Sequence, residues 1–319
     1  MPNYKFRIQN WLHNQTGMPI VLFKYKNILL IRFGLVSSIS LLFGLLLFIP
    51  LLVGLGISKK TVNSLLLYAP LNLILFSFVQ SIILSFKSIL KDYRFLKNIS
   101  FGFFGGLLGV ISTFIYFSYK DNFNLLALLD GSALLGGFIH GYARTACINY
   151  GCCHGKEIPN FTRDQLHILY TDPLSKAIRV SHYSQTPLYP VQLYESLGCI
   201  GIGIFQLTMI LLFYIPGIFF STYLVLYGLL RFICEFYRGE KDSPLFFNLS
   251  SYQWISLALF NLGIIFFFYF ILKGTLSRFP FQAVEFNDIK EFLPYIIGMP
   301  LIMLFFYGFH YKAIGKWCS

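Results

Sequence analysis

Charge is scarce in this chain. Only 12% of its 319 residues are Asp, Glu, Lys or Arg, against 56% that are hydrophobic, whereas a soluble domain carries roughly a quarter charged. That shortage excludes an ordinary soluble protein. Acidic residues are the scarcer, 13 against 25 basic, for a net charge of +12. The basic ones gather beside apolar runs, among them Arg7, Lys24, Lys26, Lys59, Lys60, Lys87, Lys91, Arg94 and Lys97. With no soluble basic domain, nucleic acid is excluded as a partner, and these charges read as orienting groups at an anionic lipid surface. The apolar runs do not alternate with polar residues, which excludes a membrane β-barrel and leaves helices. Six cysteines over the whole chain are too few and too scattered for a disulfide framework. There is no internal repeat and no pair of matching interrupted helices of the kind many transporters carry.

What is present is length in the apolar runs. A helix needs roughly 20 residues to cross a bilayer. Uncharged stretches of that size lie at 33–57, 64–86, 99–119 and 253–272, and three more, at 123–149, 193–214 and 217–237, contain or abut a few charges. An eighth, weaker candidate at 291–309 is interrupted by Pro294 and Pro300. The first run is too long and starts too late for a cleaved signal, so it reads as a retained span. The expected fold is all-α: a polytopic helical membrane protein with seven core transmembrane helices and this eighth candidate. We divide it into a polar or interfacial N-terminal segment at 1–31, a transmembrane domain at 32–273 and a C-terminal extension at 274–319. The transmembrane domain carries a polar loop at 150–192, long enough to be functional or a lid. Two spans separate this loop from a second polar break, RGEKDSPLFFNLSS at 238–251, so both fall on one side of the membrane. Chemistry is expected there.

Ionisable groups inside spans cost roughly 2.5–3.5 kcal/mol each on insertion scales and usually face the bundle interior or a wet cavity. Helical spacing puts His140, Arg144 and Cys147 on one stripe, at i, i+4 and i+7. Asp130, about four turns earlier, can share it. Gly136, Gly137 and Gly141 narrow this helix, as Gly102, Gly105, Gly106 and Gly109 narrow the preceding one, so the two are expected to touch. Arg231 and Glu235 stand at i and i+4, either as a structural ion pair or as an arginine positioned to grip a phosphate. Arg144 poses the same choice with no partner nearby in sequence. Two buried arginines on one side favour an anionic ligand. His140, taken alone, is more often a packing histidine than a catalyst.

The stretch ARTACINYGCCHGK at 143–156 holds Cys147, Cys152, Cys153 and His154. The spacing lacks the separated ligand pairs of common structural metal sites, and adjacent ligands chelate awkwardly, so no metal is expected. A reactive, redox-active or simply apolar thiol cluster fits better. Cys199, in an apolar helix, and Cys318, on the tail, are ordinary.

FGFFGGLLGV at 101–110, LLDGSALLGGFIHGYARTACINYGCCHGK at 128–156, TPLYPVQLYES at 186–196 and YGLLRFICEFYRGEKD at 227–242 occur in an order and spacing that resembles the prolipoprotein diacylglyceryl transferases. The resemblance implies a seven-helix enzyme of the bacterial inner (plasma) membrane, its active site toward the outer face. Its partners would be phosphatidylglycerol, a prolipoprotein and the surrounding membrane lipids. The diacylglyceryl group would pass to the thiol of a lipobox cysteine, releasing glycerol phosphate, and no cofactor would be needed. By position, Arg144, Gly151 and Gly155 match the family signature, and Arg231 with Glu235 match its late Arg and Glu. The implied catalytic set is Arg144, Arg231 and Glu235, and the implied substrate-binding set is Arg144, Gly105, Gly106, Gly151, Gly155, Gln192, Tyr194 and Glu195. Four positions depart from the pattern: Phe104 replaces the catalytic histidine, Phe33 a tyrosine, Cys147 the signature asparagine and Cys152 the signature acid. Phenylalanine cannot take a proton. His140, on the Arg144 face, is the expected substitute base, with His154 second. Two other readings remain open: transfer to a different acceptor, and lipid binding without catalysis.

Overall fold

The computed structural model describes residues 4–91, 103–162, 164–239 and 245–314. Arg94, Lys97, Gly102 and Cys318 lie outside these residues, as do the side chains of Lys87, Lys91 and Phe104. Hydrocarbon offers a backbone no hydrogen-bond partner, so each apolar run closes its own bonds as a helix. Seven helical stretches among the described residues are long and apolar enough to cross a membrane. They are α2 (Arg32–Gly54), residues Lys59–Ile83 of α3 (Lys59–Lys91), α5 (Leu125–Tyr150), α7 (Val191–Leu212), α8 (Ile218–Tyr237), α9 (Ser251–Lys273) and Phe286–Gly308, which includes α11 (Leu293–Gly308). The weak eighth candidate is therefore helical, and its Pro300 sits inside the helix. Of the span expected at 99–119, the described part forms α4 (Phe103–Asp121), which is not among these seven. This is a multi-pass helical membrane protein.

Among the described residues, strands appear only outside the spans. The N-terminal segment forms α1 (Tyr4–Gly17) and an antiparallel hairpin of β1 (Val21–Tyr25) and β2 (Ile28–Ile31), turning at Lys26, φ 51°. The other edge of β2 pairs with β5 (Phe309–Tyr311), from beyond the last span, with Leu29 opposite His310. The expectation of a purely helical chain is thus amended by this three-stranded sheet and a short hairpin at 245–250.

The described chain forms two compact units. The first comprises residues 1–47, 129–279 and 296–318. Here α1 lies on the polar loop: Leu12 packs with Ile148, Ile168, Tyr170 and Leu188, and the Gln9 side chain bonds the backbone of His167 twice, at 3.0 and 3.1 Å. α5 and α7 meet at glycines, where a Cβ on Gly137 would stand 2.8 Å from Gly203 Cα. α8 and α9 pack equally closely, with Gly228 against Ser256 and Phe260. Asp130 does not join the arginine stripe. Its carboxylate accepts from the backbone N–H groups of Gly217 at 2.7 Å and Phe220 at 2.8 Å, which caps the start of α8 and meets the positive end of that helix.

The second unit comprises residues 48–128 and 280–295. Gly105, Gly106 and Gly109 set α4 directly against α3, touching Gln80, Ser77 and the Asn72 backbone. Asn72 donates to Thr113 at 2.8 Å across the same contact. The glycines of α4 therefore meet α3, whereas on α5 Gly137 and Gly141 meet α7 and Gly136 lies beside Tyr223 of α8. Small residues mark close approach without saying to which neighbour.

Candidate active site

α5 carries His140, Arg144 and Cys147 down one face and ends at Gly151, whose φ of +79° suits a residue without a Cβ. α7 starts just past Pro190 and brings Glu195 to the same point, and α8 brings Tyr227, Arg231 and Glu235. Glu195 is the hub. Arg144 Nη2 donates to its Oε1 at 2.7 Å, Arg231 Nη1 to its Oε2 at 3.3 Å, and the Tyr227 hydroxyl reaches Oε1 at 3.5 Å. Arg231 Nη2 then meets Glu235 Oε2 at 3.0 Å, out of line for a hydrogen bond. The other Glu235 oxygen accepts from Ser250 Oγ at 3.2 Å, and Arg238 Nε stands 3.8 Å from Oε2. Three guanidiniums thus surround two carboxylates.

Arg144 and Arg231 converge, but on a carboxylate. Glu195 was placed only among substrate-binding positions. The overlooked signal was a lone acid in an uncharged span, facing two arginines that needed partners. The two cations also differ in reach. The Arg144 side chain keeps 18% exposure and Arg231 only 7%. Arg144 donates from Nε to His140 Nε2 at 3.2 Å and from Nη1 to Cys153 Sγ at 3.4 Å. With the Glu195 bond, that engages three of the five N–H groups of a guanidinium and leaves two for a ligand. Because His140 Nε2 accepts, the imidazole proton belongs on Nδ1, which faces Cys199 Sγ at 3.8 Å.

The chain after Gly151 doubles back. Cys153 takes a left-handed conformation, φ 55°, uncommon for a side-chain-bearing residue, and the sulfurs of Cys147, Cys152 and Cys153 all lie within 4.8 Å of one another. The three cysteines therefore form a thiol cluster, without His154. The Cys147 and Cys152 thiols donate to Cys153, which holds its pKa well below the usual thiol range. The nearby Arg238 and Arg144 add to this and burial opposes it. The same network and burial push Cys152 well above that range. Gln192 pins this turn by donating to Cys152 O at 3.0 Å and to the Tyr170 hydroxyl at 3.1 Å. His154 is buried with both ring nitrogens engaged, by Gly155 O and Ser181 Oγ, each at 2.9 Å. Gly155 packs on the Tyr189 backbone and Gly151 beside Ala177. Tyr194 is half-buried one residue before Glu195. Gly105 and Gly106 belong to the α3–α4 contact. Phe33 packs on Tyr150 and Tyr307, with ring centroids at 5.1 and 6.4 Å. The polar loop and the second polar break lie on one side: Lys156 N bonds Tyr237 O at 2.8 Å, and Gly239 N bonds His154 O at 3.0 Å.

A buried arginine–carboxylate relay in a multi-pass helical bundle defines a membrane protein with a charged site inside its spans. A family model for prolipoprotein diacylglyceryl transferase matches residues 20–269, and the chain belongs to that transferase family. Its relatives include the phosphatidylglycerol–prolipoprotein diacylglyceryl transferase of Clostridium tetani, 32% identical over 192 residues, covering 57% of this chain and 70% of that protein. A second, transferase 2 of Clostridium perfringens, is 27% identical over 271 residues, covering 81% and 97%. A third, from Campylobacter curvus, is 35% identical over 177 residues, covering 53% and 57%.

Proposed function

We propose that the protein transfers the diacylglyceryl group of phosphatidylglycerol to the cysteine thiol of a prolipoprotein, at the outer face of a bacterial inner membrane. The observation that carries this reading is Arg144, held by Glu195 and partly exposed, with two N–H groups left over. A guanidinium fork fits a phosphate better than any other side chain. In the reaction, the acceptor sulfur attacks the glyceryl carbon that bears the phosphate. The carbon–sulfur bond forms as the carbon–oxygen bond breaks, and glycerol phosphate leaves as an anion. Charge grows on the departing oxygen, where the Arg144 donors stabilise it without reorganising. Arg231, nearly buried, acts one step back as the positioning residue that holds Glu195. His140, beside Arg144, is the candidate base for the thiol proton; to take it, Nε2 gives up the hydrogen bond it accepts from Arg144 Nε.

Phe104, where the resemblance places a histidine, favours a second reading in which the acceptor is not a lipobox cysteine. Purified membranes supplied with phosphatidylglycerol labelled in its diacylglyceryl portion and a lipobox peptide discriminate between the two. Labelled peptide with stoichiometric glycerol phosphate is expected, and label on another acceptor supports the second reading. Arg144→Ala protein with unchanged kinetics would remove the headgroup role, and full activity in His140→Ala would remove that residue as base.

A further inference from the structure

The geometry points to a zinc site formed by Cys147, Cys152 and Cys153, with its fourth coordination position open to the acceptor's thiol. The inference rests on the transfer reading above and names how that reaction obtains its nucleophile.

Four observations carry it. First, the sulfurs already cluster within 4.8 Å. A tetrahedral zinc with Zn–S bonds of about 2.3 Å asks for sulfur separations of about 3.8 Å, a contraction that side-chain rotation can supply. Second, the backbone is bent at a cost to achieve this. Adjacent residues in extended chain point apart, whereas here Gly151 and Cys153 both take positive φ and the Cys152 and Cys153 sulfurs lie together with that of Cys147. A conformation of order 1–3 kcal/mol above the ordinary regions persists where surroundings demand it. Third, the outer contacts are those of a ligand shell. Gln192 fixes the Cys152 carbonyl, and Arg144 Nη1 donates to Cys153 Sγ at 3.4 Å. Such partners orient metal ligands and tune their basicity. Three thiolates on zinc carry one negative charge, and the Arg144 and Arg238 guanidiniums lie close enough to Cys153 to act on it electrostatically. Fourth, the cluster is closed on one side only: Cys147 is buried, whereas Cys152 and Cys153 are partly exposed. Both ring nitrogens of His154 are committed elsewhere. Three protein ligands with an open position is the arrangement of catalytic zinc.

The chemistry balances. The acceptor thiol displaces a zinc-bound water, and its proton leaves with that water. The coordinated thiolate, which on this zinc route forms without His140 as base, attacks the glyceryl carbon, and the carbon–oxygen bond electrons depart with glycerol phosphate. The product thioether is neutral and a weaker ligand, so it leaves zinc. Arg144 touches both the sulfur cluster and Glu195, which places thiolate and phosphate on the two sides of one guanidinium.

The test uses the full-length protein purified in mild detergent without chelator. Elemental analysis should find about one zinc per chain, as a single three-cysteine site requires, lost in Cys152→Ser and Cys153→Ser. Should these variants fold poorly, the wild type stripped with chelator and reloaded with cobalt serves instead. It should show thiolate-to-cobalt charge-transfer bands that change on adding a cysteine-containing lipobox peptide and not its serine counterpart. Zinc at background level, a disulfide among these cysteines in fresh protein, or cobalt bands indifferent to the cysteine peptide each overturn the inference. Normal transfer by fully zinc-free protein overturns it and leaves the transfer reading standing. A cysteine-specific cobalt response without any lipid turnover does the reverse.

Discussion

Two buried carboxylates in the same unit are neutralised by different means. Asp130 is held by two backbone N–H groups at the start of α8, at 2.7 and 2.8 Å. Glu195 is held by the side chains of Arg144 and Arg231. Backbone donors at a helix start are fixed in place and have no other work, so the Asp130 arrangement can only be structural. Guanidiniums on long stems have donors to spare and can serve a second anion while keeping the first. The difference separates an acid that builds the bundle from one that, in the proposed reaction, holds the working cation.

The largest effect should follow Glu195→Leu, which leaves two cations facing each other without a counter-charge. Breaking a buried pair costs about 3–5 kcal/mol, so a large fall in the midpoint of thermal unfolding in detergent and loss of turnover are expected together. A variant with native stability would mean that Glu195 does not hold the arginines. Arg144→Lys keeps the charge and loses the fork. It should fold normally yet transfer on the order of 10²-fold more slowly, measured as released glycerol phosphate, and undiminished turnover would place the phosphate elsewhere. Asp130→Asn should do the opposite. It loses charge-assisted capping worth about 1–2 kcal/mol, lowering the unfolding midpoint with turnover per folded molecule unchanged. A selective loss of turnover there would erase the distinction between the two acids. The smallest effect is expected from Gln192→Met, which removes the donor to Cys152 O and the Tyr170 hydroxyl without burying a charge and should cost about 1 kcal/mol while loosening the cysteine turn, read as faster thiol alkylation at Cys152.

Much of this contrast was legible in the sequence. Apolar length alone marked the spans, and the i, i+4 and i+7 stripe placed His140, Arg144 and Cys147 together because a helix leaves no freedom in that matter. The Arg231–Glu235 pair was legible for the same reason. Glu195 as hub was not, because its partners come from two other helices, and sequence spacing is silent across helices. Asp130 was misassigned by the same limit: four turns of helix carry it to the far end of α5, where a different neighbour waits. The cysteine turn escaped because it runs through a left-handed residue, Cys153, of a type that seldom adopts that conformation. The sheet escaped because a three-residue strand has no period to detect.

That sheet sets an order of events in biogenesis. The outer edge of β2 is satisfied by Phe309–Tyr311, and Lys312 N closes on Asn27 O at 2.7 Å. These partners leave the ribosome only after every span between them has been made. Until then one edge of the N-terminal hairpin stays open, an invitation to pair with a foreign strand. A chain stalled or cut before residue 309 can insert its helices and still lack the seam that joins its beginning to its end.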